Sequence, residues 1–153
     1  MTATGWRIVP EEHAADAFTG EGAKQYGGRW NSPGVAVVYA SANKSLAALE
    51  ILVHLNPRKL GSYKVFSFHF DHALAESLHI RNLPKEWREE PPPPSIQRLG
   101  DEWARQLRSA ILAVPSILIP EESNYVLNPA HPDFSRIEIG KPANFAFDPR
   151  LLV

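Results

Sequence analysis

Apolar residues recur along this chain with two different periods and in unbroken runs, and each pattern predicts an element. Residues 6–9 (Trp6, Arg7, Ile8, Val9) read as a short first strand that Pro10 ends. A glycine-rich stretch follows. Residues 35–40 are a continuous apolar run of strand length with β-branched members, which marks a buried strand. Ser41 suits the N-cap of a helix over 42–55, which Pro57 stops. Residues 62–70 alternate, with Phe66, Phe68 and Phe70 on one face and Tyr63, Val65 and Ser67 on the other, so they predict a strand. A further short strand is expected at 78–80. Residues 84–94 are polar and proline-rich and read as an exposed loop within the domain. Ser95 then suits a second N-cap, and Ile96, Leu99, Trp103, Leu107 and Ile111 share one helical face. Residues 115–120 read as a strand bracketed by prolines. Residues 121–134 show no clean period, and 136–139 and 144–147 read as closing strands. Strands outnumber helices and do not alternate with them. The expectation is therefore an α+β fold: one compact domain over 1–153, a mixed or antiparallel sheet and flanking helices.

Composition narrows the classes. At 153 residues the chain holds one domain with a core and is short for two. A net charge of −1 gives no global field for nucleic acid, so no direct nucleic-acid binding is expected. The chain has no cysteine, which removes disulfides, thiolate chemistry and cysteine-bearing zinc sites, and suits a cytoplasmic location. No apolar run reaches the roughly 20 residues a membrane span needs, and the N-terminus lacks the features of a signal peptide. No membrane association is expected.

Four positions draw chemical interest. Residues 20–34 hold five of the nine glycines, and Gly27-Gly28 is followed directly by Arg29. Glycine lets the backbone approach a ligand, and arginine grips phosphate or carboxylate through two parallel hydrogen bonds. Arg29 is either that grip or a loop arginine in a surface ion pair. Glu50 is the only charged residue between Ser45 and Val53. At about 100° per residue it falls about 40° from Leu46, inside the stripe made with Leu49 and Val53. It is either a catalytic or ligand-binding carboxylate, or half of an ion pair with Arg7 or Arg29, or a rim residue beside His54. Tyr39 closes the aliphatic strand as a core tyrosine or as a stacking surface. Ser116 starts an apolar run after a proline, where most serines are bonded to backbone. No Gly-x-Ser-x-Gly elbow, Walker loop or Gly-x-Gly-x-x-Gly is present. The six histidines include His69-x-Asp71-His72 but no His-Glu-x-x-His, so no metal site is expected.

Taken in order, four motifs resemble the RES domain. They are residues 27–34 (Gly-Gly-Arg-Trp-Asn-Ser-Pro-Gly), 38–40 (Val-Tyr-Ala), 45–55 around Glu50, and 124–132 with Asn124, Tyr125, Asn128 and His131. The resemblance spans about residues 6–147 and is weakest over 80–112. The family's eponymous arginine, glutamate and serine map onto Arg29, Glu50 and Ser116. The resemblance implies a fold like that of the ADP-ribosyltransferase toxins. It implies a toxin of a bacterial toxin–antitoxin pair that cleaves NAD at the nicotinamide–ribose bond, with an Xre-type antitoxin as partner. NAD is then substrate, and no cofactor is expected. The roles it implies are Arg29 on the pyrophosphate, Tyr39 on the nicotinamide ring, and Glu50 at the ribose. Ser116 would position the ribose or support Glu50, and Asn124 would contact ligand or a neighbouring side chain. Two alternatives stand beside this one: a mono-ADP-ribosyltransferase acting on one protein, and a non-catalytic module in which Glu50 and Arg29 pair internally. A homodimer is an admissible state, cyclic dimers being the commonest oligomers.

Overall fold

The computed structural model describes residues 1–57 and 61–152. Eight strands form one sheet: β1 (Thr2–Pro10), β2 (Val38–Ser41), β3 (Tyr63–Asp71), β4 (Ala75–Ser77), β5 (Ile111–Pro115), β6 (Ser123–Leu127), β7 (Glu138–Ile139) and β8 (Ala143–Phe145). Their order is β4-β5-β6-β2-β1-β3-β7, with β8 also on β3. Strands β4 and β5 run parallel, and the other pairs among the described residues run antiparallel. This is the expected α+β architecture with a mixed sheet.

The sheet is not evenly joined. Strand β1 follows β3 in unbroken register from Thr2↔Asp71 to Pro10↔Tyr63. Strand β2 follows β6 from Val38↔Leu127 to Ser41↔Asn124. Yet β1 meets β2 at a single register pair, Trp6↔Ser41. Past that point the two strands diverge and leave a gap between two half-sheets.

Among the described residues three α-helices cover the sheet: α1 (Glu21–Tyr26), α2 (Lys44–Leu52) and α3 (Pro94–Arg105). Helix α2 packs against β1 and β2, its Ala47 joining Ile8, Tyr63, Val65 and Phe147 in one core. Helix α3 sends Ile96 and Trp103 into a second core with Trp30, Val37, Leu112 and Val126. The opposite face of β2, β3, β5 and β6 buries Val38, Ala40, Phe68, Phe70, Ile111 and Leu127. The alternation expected in β3 is present, but both its faces are covered, because Tyr63 and Val65 lie under α2. Among the described residues no helix is long and apolar enough to cross a membrane.

Several local expectations are corrected. Helix α2 starts later than 42, because Asn43, not Ser41, is the N-cap and accepts from the Leu46 N–H at 2.7 Å. Helix α3 begins at Pro94 with Pro93 as its cap, and the Ser95 hydroxyl instead reaches Glu86. That helix stops at Arg105; Leu107 takes a positive φ of 51°, and Ile111 belongs to β5. The strand expected at 115–120 is β5 ending at Pro115, after which the chain turns off the sheet. The strand expected at 78–80 lies earlier, as β4, and the run 35–40 pairs only from Val38. Residues 121–134 contain β6, which pairs on both sides. The proline-rich segment 84–94 is not simply exposed. Trp87 within it is 7% exposed and packs in the α3 core. Burial of such a ring contributes roughly 1.5–3 kcal/mol, while Lys85, Arg88, Glu89 and Glu90 around it stay exposed and keep their hydration.

Candidate active site

The glycine-rich loop leaves α1 and folds back on itself, the Gly28 N–H bonding the Asn31 carbonyl at 3.0 Å. Asn31 is fully buried and holds the loop's shape. Its amide donates to the carbonyls of Ala23 at 2.8 Å and Val35 at 3.0 Å, and its Oδ1 accepts from the Tyr39 hydroxyl at 2.5 Å. That hydroxyl also accepts from the Trp30 N–H at 2.9 Å. Burial pushes the Tyr39 hydroxyl far above its ordinary range, so it stays protonated and donates. Gly28 is required here, since a Cβ on it would lie 2.7 Å from the Tyr39 oxygen.

Helix α3 clamps the loop from outside. Gln97 donates to the Gly28 carbonyl at 2.9 Å. Asp101, 4% exposed, accepts from both the backbone N–H and the hydroxyl of Ser32, at 2.8 and 2.6 Å. Gly100 faces Trp30 so closely that a Cβ would lie 1.7 Å from its carbonyl oxygen. The glycine inside α3 thus reports a close backbone approach.

Arg29 projects from this braced loop, its side chain 11% exposed. One terminal nitrogen donates to the carbonyls of Trp87 at 3.0 Å and Glu89 at 2.8 Å. The other donates to the Glu90 carboxylate at 2.8 Å. The proposed ion pair of Glu50 with Arg7 or Arg29 does not form among the described residues; Arg29 pairs with Glu90 instead.

Glu50 lies on the inward face of α2, but not in the stripe that the sequence suggested. Leu49 and Val53 are 40% and 56% exposed, and Leu46 and Ala47 are the buried positions. The helix is apolar on nearly every side, so its sequence sets no direction and the packing of Ala47 on β1 decides. Rotated this way, Glu50 sits between Leu46 and Ala47 in projection and faces the gap beside β1. Ser116, fully buried, donates to Glu50 Oε1 at 3.0 Å. The Ser116 oxygen in turn accepts from the N–H groups of Leu118 and Ile119, each at 3.1 Å. Two donors on that oxygen direct the hydroxyl proton to Glu50. Glu50 also lines the cavity beside this contact.

That cavity, about 610 Å³, lies in the gap between the half-sheets. Arg29, Tyr39, Glu50 and Asn124 line it together; Ser116 does not, and reaches it only through Glu50. Asn124 sits on β6 with its Oδ1 accepting from Ser41 at 2.7 Å. Arg7, Trp6, His54 and Glu90 also line the cavity, and sequence reasoning assigned them no role in ligand binding. Arg7 spans the gap, donating to the carbonyls of Ala17 at 2.6 Å and Tyr39 at 2.7 Å. Loss of hydration pulls its guanidinium from 12.5 down to about 10, against the opposing pull of Asp16. An arginine in a first strand beside an isoleucine carries no sequence signal of this, because the gap that exposes it arises from the pairing of β1 and β2. The cavity is therefore lined by two guanidinium groups, Arg7 and Arg29, and by the carboxylates of Glu50, Asp16 and Glu90, and its size suits a small molecule.

The chain is similar to proteins already known. The chain is 42% identical, over 99% of its length and 98% of the relative's, to a Sphingobium sp. protein named Prs ADP-ribosylating toxin. It is 39% identical, over 95% of its length and 97% of the relative's, to a Yersinia enterocolitica protein named Toxin Res. A chain in the crystal structure of the M. tuberculosis MbcT–MbcA toxin–antitoxin complex has the same fold. Its TM-score is 0.77 at 16% identity, covering 99% of this chain and 87% of that one. The RES domain family model matches residues 4–148, so the chain belongs to the RES domain family.

Proposed function

We propose that this chain is the toxin of a bacterial toxin–antitoxin pair and acts on NAD, breaking the nicotinamide–ribose bond. One observation carries the reading: Arg29 and Glu50, far apart in sequence and not paired with each other, face the same cavity. The names of the relatives support a toxin, and the complex in which the related fold occurs supports an antitoxin partner.

Nicotinamide leaves NAD as a neutral molecule, the C1′–N bond electrons returning to the ring nitrogen. No acid is needed. What needs help is the positive charge that grows on the ribose ring, as in other glycosyl cleavages. A carboxylate held in place stabilises that charge without reorganising at the moment of reaction. Glu50 fills this role, and Ser116 is a positioning residue that holds it. Arg29 and Arg7 bind the pyrophosphate. The Tyr39 hydroxyl is committed to the loop, so its ring wall, not its oxygen, meets the ligand. Asn124 offers its amide to a ribose hydroxyl. Water, phosphate or a protein side chain then adds at C1′.

Transfer to a protein is the second reading, and the name of the Sphingobium relative favours it. The chemistry is identical up to the acceptor. Incubating the protein with NAD alone and identifying the products by mass separates the two. Free nicotinamide with ADP-ribose or its phosphate supports cleavage without a protein acceptor. Nicotinamide appearing only when a target protein is added supports transfer. No NAD consumption under either condition sinks both.

A further inference from the structure

The cation that the ligand would need is already occupied. Arg29 carries three contacts from the proline-rich segment, and they are of two kinds. The carbonyls of Trp87 and Glu89 are backbone groups on a stretch anchored by the buried Trp87 ring. They fix the direction of the guanidinium without neutralising it. The third contact is the Glu90 carboxylate, 2.8 Å away on a side chain that is 57% exposed. Glu90 lines the cavity with Arg29, as does Pro92 two residues on. A carboxylate on a guanidinium edge occupies the place a phosphate oxygen would take.

We propose that Glu90 is an internal occupant of the anion seat at Arg29, displaced when an anionic ligand enters, and that it sets the affinity of the site. This rests on the reading that the cavity takes a phosphate-bearing ligand. The asymmetry of the two partners makes displacement feasible. Arg29 is nearly buried and held by two carbonyls, so it keeps its aim when the carboxylate leaves. Glu90 is mostly in water already, so it loses little on swinging out. The Glu90 contact also screens Arg29 from the wrong anions. A ligand carrying one weak negative charge gains nothing by exchanging one carboxylate for another. A ligand with two phosphates, which engages Arg7 as well, overcomes the competitor. The proline-rich segment is thus a wall of the site that carries its own competitor for Arg29.

The test measures binding of inorganic pyrophosphate directly by calorimetry at low salt, with nicotinamide release from NAD followed in parallel. Glu90→Gln keeps the shape and removes the charge. Glu89→Gln removes the same charge one residue away, where only the backbone carbonyl touches Arg29. Glu90→Gln is expected to bind pyrophosphate about fivefold more tightly than wild type, the scale of one half-exposed ion pair. Glu89→Gln is expected to change it less than twofold. Adding salt to the wild-type protein should narrow the difference between them. Pyrophosphate affinity that is unchanged or weakened in Glu90→Gln, or raised equally in Glu89→Gln, overturns the proposal. Tighter pyrophosphate binding without any NAD turnover in the wild-type protein upholds the displaced carboxylate and overturns the NAD reading instead.

Discussion

Glu50 and Ser116 form one hydrogen-bonded pair, to which the proposed function gives two roles, charge stabilisation and positioning. The carboxylate faces the cavity and the hydroxyl, itself held by two backbone N–H groups, fixes one of its oxygens. Glu50→Gln keeps the side-chain volume and removes the charge that would stabilise the ribose cation. Nicotinamide release is expected to fall by about 100-fold or more, with melting temperature nearly unchanged, as judged by product analysis alongside thermal denaturation. Ser116→Ala acts differently. It leaves the N–H groups of Leu118 and Ile119 without that partner in a partly buried place, which costs about 1 kcal/mol, the low end for a lost donor. Both stability and turnover should drop, and a serine whose loss changes neither would have no part in holding Glu50. Both residues drew attention in the sequence, Glu50 as a lone charge in an apolar helix and Ser116 through family resemblance, and the structure brings them into contact. The hydrogen bond joining them was not, since 66 residues separate them and only the fold brings β5's end to α2. Arg7 and Glu90 were missed for a related reason. Each has an ordinary local sequence, and each gains its place from a partner strand or segment that no local pattern names.

At the level of elements, α3 is the brace that the sequence described least well. Its apolar face was correctly placed at Ile96 and Trp103, yet the polar residues Gln97 and Asp101 tie it to the glycine-rich loop. A buried aspartate and a mid-helix glycine were both visible, but helical periodicity treats them as noise. Gly100→Ala tests the contact. Helix propensity alone favours alanine by about 1 kcal/mol. Against this, a methyl group 1.7 Å from the Trp30 carbonyl forces the helix away from the loop. Overpacking of that kind costs about 1–3 kcal/mol or more, so the net expectation is a lower melting temperature together with weaker NAD binding. A melting temperature that rises would show that helix and loop do not meet so closely. The strand boundaries failed where apolar runs continued past a turn. Residues 115–120 are apolar except for Ser116, but once the Ser116 N–H has bonded the Glu122 carbonyl the chain leaves the sheet. Residues 117–120 are half-buried off the sheet, and partial burial does not require pairing.

Considering the whole molecule, the cavity lies where the two half-sheets part, so a ligand bridging them should stabilise the fold. A ligand at a hundred times its dissociation constant adds about 2.7 kcal/mol, readable as an upward shift in melting temperature. Arg7 gives this a pH dependence with two opposite signs. Its pKa is about 10 in the folded chain, below its ordinary 12.5. Between those values the unfolded chain holds the proton and the folded chain has released it. Stability from this group alone therefore rises with pH over that window. Affinity for an anion held by Arg7 does the reverse, being full below about pH 10 and declining above it. Pyrophosphate titrations of wild type and Arg7→Met across pH 7–11 check this. The wild-type advantage should fade as pH passes about 10, and an advantage constant with pH would remove Arg7 from the anion's contacts.

The single register pair between β1 and β2 has a consequence for how the molecule breathes. Strands β1, β3, β7 and β8 form one half and β2, β4, β5 and β6 the other, and the connections cross from half to half four times. The halves are sewn together by chain but scarcely zipped by hydrogen bonds. Amide protons along β1–β3 and along β5–β6 should therefore exchange with deuterium as two separately protected blocks, with faster exchange at the join. The two blocks still share the core of Val38, Ala40, Phe68, Phe70 and Leu127 on the opposite face, so the seam is expected to loosen only on its cavity side, without either block unfolding. A protein that clasped that side would then govern entry without touching the reacting groups.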